Sequence, residues 1–217
     1  MVLVPPFAAL ATDPAAGLDA LALALAAELR PVDEEGALAR LHELAGEVRE
    51  VADSTGGELA ALCFVLGERH GFAGAEREYD HPAHSMLDLV LERRRGLPIA
   101  LSVVYVETAR RAGIDLDGVG LSGHYVVGQF RAGAAPVLLD PFGGGQPIVA
   151  ANPAEVRPWT PHETALRMLN NLVGSYTRRN DLGRAIRAAE MRLELSLEPA
   201  LREALAAELR GLRARLN

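Results

Sequence analysis

The spacing of apolar residues changes period twice along this chain, and that change decides the class of fold. Up to Gly113 apolar positions recur every three or four residues. From Val119 to Leu139 they alternate. After Thr160 the longer spacing returns. The first pattern builds a stripe on a helix and the second builds one face of a strand. Helices, then a small antiparallel sheet, then helices is the order of an α+β fold rather than of repeated βαβ units.

Within that frame the helical lobe divides by its caps. Thr12-Asp13-Pro14 reads as a cap with an early-turn proline, followed by Leu18, Leu21, Leu25 and Leu29 on one face. Asp33 opens a second helix with Leu38, Leu41, Leu44, Val48 and Val51 inward. Glu58 to His70 forms a third, and Gly71 to His84 a loop. Ser85 with Asp88 resembles a capping box for a short helix that ends near Gly96. Pro98 suits the first turn of a longer helix that Gly113 closes. Strands follow at 119–121, 125–130 and 137–139. Thr160-Pro161-His162-Glu163 is a capping box, Asn180-Asp181 separates two helices, and Glu198-Pro199 precedes a last one. The expected organisation is residues 1–54 as N-terminal helices, 55–154 as the core and 155–217 as a helical tail.

Charge and residue usage narrow the chemistry. The net charge of −7 argues against a nucleic-acid partner. It is unevenly spread: residues 155–217 carry 11 Arg against 8 acidic residues, and residues 1–154 carry 11 Arg against 21. That pattern reads as an acidic body with an Arg-rich solvated tail. All 22 basic residues are Arg, which excludes Schiff-base chemistry and a Walker-type phosphate lysine. One cysteine, Cys63, allows no internal disulfide and fits a reducing, cytoplasmic setting. The first basic residue is Arg30, so the positive start of a signal peptide is missing, and no uncharged run reaches the roughly 18–20 residues of a membrane span. No membrane partner is expected.

The candidate chemistry centres on His124, which opens one strand, and Asp140, which closes the next. The turn between them falls near residues 133–134, so antiparallel pairing brings the two close. An Asp that accepts from a His ring N–H fixes its tautomer and raises its basicity. A helix beginning at Pro98 and packed on this sheet would aim free N–H groups at such a site, where they favour an anion, a thiolate or an oxyanion. A buried structural pair is the other reading of the same two residues. Elsewhere, His81 and His84 offer only two metal ligands where three or four are needed, and anchoring of the loop accounts for them. Gly143-Gly144-Gly145 lacks the setting of a dinucleotide loop. No cofactor and no metal are expected.

Taken in order, LERRRGLPIALSVVYVETARRAG, LSGHYVV, LLDPFGGG and RMLNNLVGSYTRRNDLGRAI resemble the SirB-type family, over roughly residues 55–195. In that family a transglutaminase-like domain is followed by tetratricopeptide-like helices. The resemblance implies a papain-like core. Active members of the wider superfamily open the long helix with Gly-x-Cys and reach a Gly fifteen residues after the Cys. Here the residue fifteen before Gly113 is Pro98, within Gly96-Leu97-Pro98. His124 and Asp140 match the superfamily's histidine and aspartate, so the implied triad is degenerate and lacks its nucleophile. The implied function is a non-catalytic, cytoplasmic protein-interaction or regulatory module with a protein partner of unknown identity. The alternative is a hydrolase or acyltransferase that uses Ser102 or Cys63 with His124 and Asp140. Ser102 shares a helix face with position 98 but lies about 6 Å deeper. Cys63 sits on an apolar stripe, where a free thiol is usually packing. Glu92, six residues before Pro98, occupies the spacing of an oxyanion-hole donor, but a carboxylate would repel an oxyanion; pairing with Arg93–Arg95 is expected. The tail helices, one unit alone, must dock on the core or receive a partner.

Overall fold

The fold is α+β, seen in a computed structural model that describes residues 4–216. The helical lobe holds α1 (Phe7–Leu10), α2 (Leu18–Ala27), α3 (Glu34–Val51) and α4 (Glu58–Cys63), the last continued by a π-helical segment, Phe64–Arg69. Next come β1 (Ala73–Gly74), a 3₁₀ turn (Pro82–Ser85), α5 (Leu87–Arg93) and β2 (Arg95–Gly96). The long helix is α6 (Pro98–Ala112). The sheet follows as β3 (Asp117–Leu121), β4 (His124–Gln129), β5 (Val137–Asp140), a 3₁₀ turn (Pro141–Gly143) and β6 (Gln146–Ile148). After a short 3₁₀ turn at Pro153–Glu155, α7 (Pro161–Arg178), α8 (Leu182–Glu194) and α9 (Pro199–Ala214) form the tail.

The centre of the molecule is α6. Its ends follow from sequence: Pro98 occupies the first turn, where a missing N–H costs nothing, and Gly113 closes it with φ 82°, a left-handed conformation that glycine adopts without strain. Between them Ile99, Leu101, Val103, Val104 and Tyr105 are all buried, so the helix is apolar nearly all round, as an internal helix is. β3-β4-β5-β6 form one antiparallel sheet in that order. Its alternation separates two faces. Tyr125, Val127 and Leu139 join the large core with α6, while Val119, Val126 and Leu138 form a small cluster on the other side.

The large core is continuous from Phe7 to Leu212, so the segments 1–54, 55–154 and 155–217 share it. The tail is docked, with Met168, Leu169, Leu172 and Ala189 buried in that cluster. Its arginines are not merely a solvated face. Arg187 pairs with Glu28 at 2.9 Å, Arg178 with Asp80 at 3.0 Å, and Arg184 Nε donates to the Leu29 carbonyl at 3.1 Å. The Arg-rich tail meets the acidic body across this seam. Among the described residues no helix is long and apolar enough to cross a membrane.

Three local expectations are corrected. Thr12-Asp13-Pro14 caps no helix: Asp13 Oδ1 accepts from Ala15 N in a local turn, and α2 begins only after Gly17. Ser85 is not the cap of α5. That helix starts after Met86, and the Asp88 carboxylate that a capping box would use is held by Arg30. The parallel β1–β2 pair puts Ala73–Gly74 where a loop is expected and Arg95–Gly96 where the short helix is expected to end, both too short to leave a periodic signal.

Candidate functional site: a His–Asp pair on the sheet

The β4–β5 hairpin pairs Val127 with Leu139 and Gln129 with Val137, which centres its turn on Gly133. Continued by one step, that register sets Asp140 opposite Val126. His124 lies two residues further along the same face, a diagonal that long side chains can span. His124 Nε2 lies 3.1 Å from Asp140 Oδ2. The second carboxylate oxygen, Oδ1, accepts from Phe142 N at 2.9 Å and so caps the turn Pro141–Gly143. Asp140 is thereby fixed from two sides. The other ring nitrogen, Nδ1, has no hydrogen-bond partner among the described residues. The two side chains are 32% and 21% exposed, so the pair is open to a solvent-borne molecule.

A wall of aromatic rings stands beside the pair. Phe142 meets the His124 ring edge-on, with centroids 6.4 Å apart and planes at 82°, and Tyr79 meets Phe142 in the same manner at 6.1 Å. The Phe142 ring lies over Gly74, where a Cβ would approach it to 2.3 Å. From the tail, the Arg167 guanidinium donates to the carbonyls of His124, at 3.0 Å, and Leu121, at 3.2 Å, and stacks on Tyr125. The backbone of His124 is thus pinned by α7. Neither Phe142 nor Arg167 stands out in the sequence as a site residue. Both lie in the stretches that carry the family resemblance, which was the signal available.

The positions considered for a nucleophile are occupied as follows. Pro98 is buried at the start of α6, and α6 packs on β4 and on the turn Pro141–Gly143. Ser102 is 1% exposed, and its Oγ has no partner among the described residues. Cys63 Sγ donates to the Gly145 carbonyl at 3.2 Å, and burial first, then the Glu68 charge, pushes its thiol up to about 11. An activated thiol is shifted the other way. The triglycine serves packing here: Gly145, at φ 87°, passes so close that a Cβ would lie 2.9 Å from Cys63 Sγ and 3.0 Å from the Tyr105 hydroxyl. That hydroxyl is buried without a partner among the described residues, and burial pushes its ionisation up. Glu92 makes no ion pair among the described residues, contrary to the expected pairing with Arg93–Arg95. His81 Nδ1 accepts from Ala83 N and caps the turn Pro82–Ser85, while Asp80 binds the tail.

Asp140→Ala removes the acceptor for Phe142 N and the carboxylate that stands beside His124 Nε2. It is expected to lower stability by about 1–3 kcal/mol, the range for stranding half-buried donors. Asp140→Asn keeps one acceptor oxygen and should lose less. Urea unfolding of the two variants measures the difference.

The family model described as "Transglutaminase-like superfamily" matches residues 35–187. A UPF0162 protein of Xylella fastidiosa is 38% identical over 157 residues, 64% of this chain and 56% of that protein. A UPF0162 protein of Vibrio cholerae is 26% identical over 117 residues, 54% of this chain and 40% of that one. F-box only protein 21 of Mus musculus is 32% identical over 84 residues, 39% of this chain and 13% of its own length. The chain spans about half the length of the curated relatives it matches first. No solved structure matches it.

Proposed function

Because the chain belongs to the transglutaminase-like superfamily, we propose that it is a non-catalytic member, a cytoplasmic protein-interaction or regulatory module of SirB type. The observation that carries this reading is Pro98 at the first turn of α6, where the family pattern calls for the attacking cysteine. In a triad the histidine takes the proton of the attacking group, and a base without a thiol or hydroxyl to deprotonate starts no covalent step. Proline brings neither. It also removes one N–H from the helix end that would otherwise favour an anion there.

The enzyme reading with Ser102 or Cys63 finds little support. A hydroxyl with 1% exposure is out of reach of a substrate, and a thiol whose ionisation is raised by burial is mostly protonated at neutral pH. In the same reading α7 and α8 are a single tetratricopeptide-like hairpin. One face is spent on the core, as its buried Leu169, Leu172 and Ala189 indicate, so a partner would meet the outer face. The acidic net charge favours a protein partner over nucleic acid.

Incubation with glutamine-donor and peptide substrates is expected to give no turnover that iodoacetamide abolishes. Thiol-dependent turnover that disappears in His124→Ala would contradict the proposal.

A further inference from the structure

A cavity of about 390 Å³ lies between the loop that precedes α5 and the tail helices, and neither His124 nor Asp140 lines it. The volume is within the range of small-ligand pockets. Its floor is apolar: Ala83 and Met86 are buried, and the Tyr176 ring forms one side. Its rim carries four guanidiniums, those of Arg30, Arg93, Arg179 and Arg184. On a chain with a net charge of −7 that concentration is local.

The four are not equally occupied. Arg30 is engaged with Asp88. Arg184 is held by Asp181 at 2.6 Å and lies over the Tyr176 ring. Arg179 has only Asp80, at 3.8 Å, and Arg178 already holds that carboxylate at 3.0 Å. Arg93 makes no hydrogen bond or ion pair among the described residues. Two guanidiniums therefore face the cavity with donors to spare. Burial, and next to it the charge of Arg179, holds the His81 imidazole below its ordinary value, as a positive field at this rim would.

We propose that this cavity binds a small organic oxyanion, a carboxylate or phosphate borne on an apolar body, with Arg93 and Arg179 taking the anion and the Met86–Tyr176 floor taking the body. Guanidinium forks match planar and tetrahedral oxyanions by paired N–H donors, and the apolar floor gives the rest of the molecule a dry seat. The proposal is independent of whether the His124 site is catalytic.

Titration of the full chain with phenyl phosphate and with benzoate, followed by amide chemical shifts, tests it. Saturable binding of at least one anion is expected, with shifts centred on residues around Met86 and Tyr176. Neutral benzyl alcohol should bind more weakly. Arg93→Gln with Arg179→Gln should weaken the anion by about tenfold or more, since charge-assisted bonds are the strong ones. Both side chains lie at the rim, and an unchanged melting temperature would verify that the variant is folded. Should the variant unfold, the wild-type salt dependence decides, because binding to partly exposed arginines weakens as salt screens them. The proposal is overturned if neither anion saturates, if benzyl alcohol binds as well, if a folded double variant binds equally, or if binding ignores salt. Binding of a glutamate-rich peptide at this rim with no binding of either small anion would also overturn it.

Discussion

A chain ending at Thr160 is expected to lose cooperative folding. The cut removes α7, α8 and α9, and with them Met168, Leu169, Leu172 and Val173, all buried in the core that includes α2 and α6. Full burial of one such side chain stabilises by about 1.5–3 kcal/mol, so these four alone approach the roughly 5–15 kcal/mol by which a domain is stable. The matching faces of α2 would be left bare, an apolar patch of the kind that associates. Specific ties go too. The Tyr125 hydroxyl loses its Thr164 partner at 2.7 Å, and the β3–β4 turn loses Arg167. Size-exclusion chromatography and a thermal melt are expected to show aggregation or a non-cooperative transition. A truncated monomer with an unchanged melting temperature would show that the tail is an appendage.

The second large effect lies where α2 meets α6. Glu107 is 2% exposed and Arg111 7%; with Asp19, and with Arg110 at the solvent edge, they form a network that joins α2 to α6. Glu107 also accepts from Asp19 N, so it caps α2 from 88 residues away. Glu107→Ala leaves the Arg111 charge with half its neutralisation in a dry site and uncaps a helix. Breaking one partner of a buried pair costs about 3–5 kcal/mol. Roughly 3 kcal/mol is expected here, because Asp19 still faces Arg111. Glu107→Gln keeps the acceptor for Asp19 N and should fall between the two. Denaturant midpoints of the three proteins check this ordering.

That network shows why the N-terminal boundary was hidden in the sequence. A cap normally sits just before its helix, and Thr12-Asp13-Pro14 satisfies that pattern. The actual start follows Gly17, which has no capping side chain, and Glu107 on another helix serves instead. No local rule reaches that far. Asp88 misleads for the same reason, since its carboxylate answers Arg30 across the fold rather than its own helix. Where local and tertiary demands agree, the reading was direct. Pro98 and Gly113 bracket α6, and Thr160 with Glu163 forms the capping box at the start of α7. The spacing of His124, Gly133 and Asp140 fixes a hairpin register that brings the pair together. The Phe142 wall, the Arg167 clamp and the buried Tyr105 hydroxyl depend on side chains meeting across elements, which periodicity does not encode.

We propose that His124 and Asp140 are the remainder of a triad whose missing member belongs at position 98. Pro98→Cys tests it most directly. If the helix start faces the imidazole, the introduced thiol should ionise well below the free-cysteine value of about 8.5, as thiols do beside a histidine and a helix N-terminus. Its alkylation by iodoacetamide near pH 6 should then fall by about tenfold or more when His124→Ala is added, in line with the lost thiolate fraction. Cys63 supplies the internal control, since its raised ionisation keeps it slow in both proteins. Equal alkylation rates with and without His124, at a thiol that titrates like free cysteine, would contradict the claim.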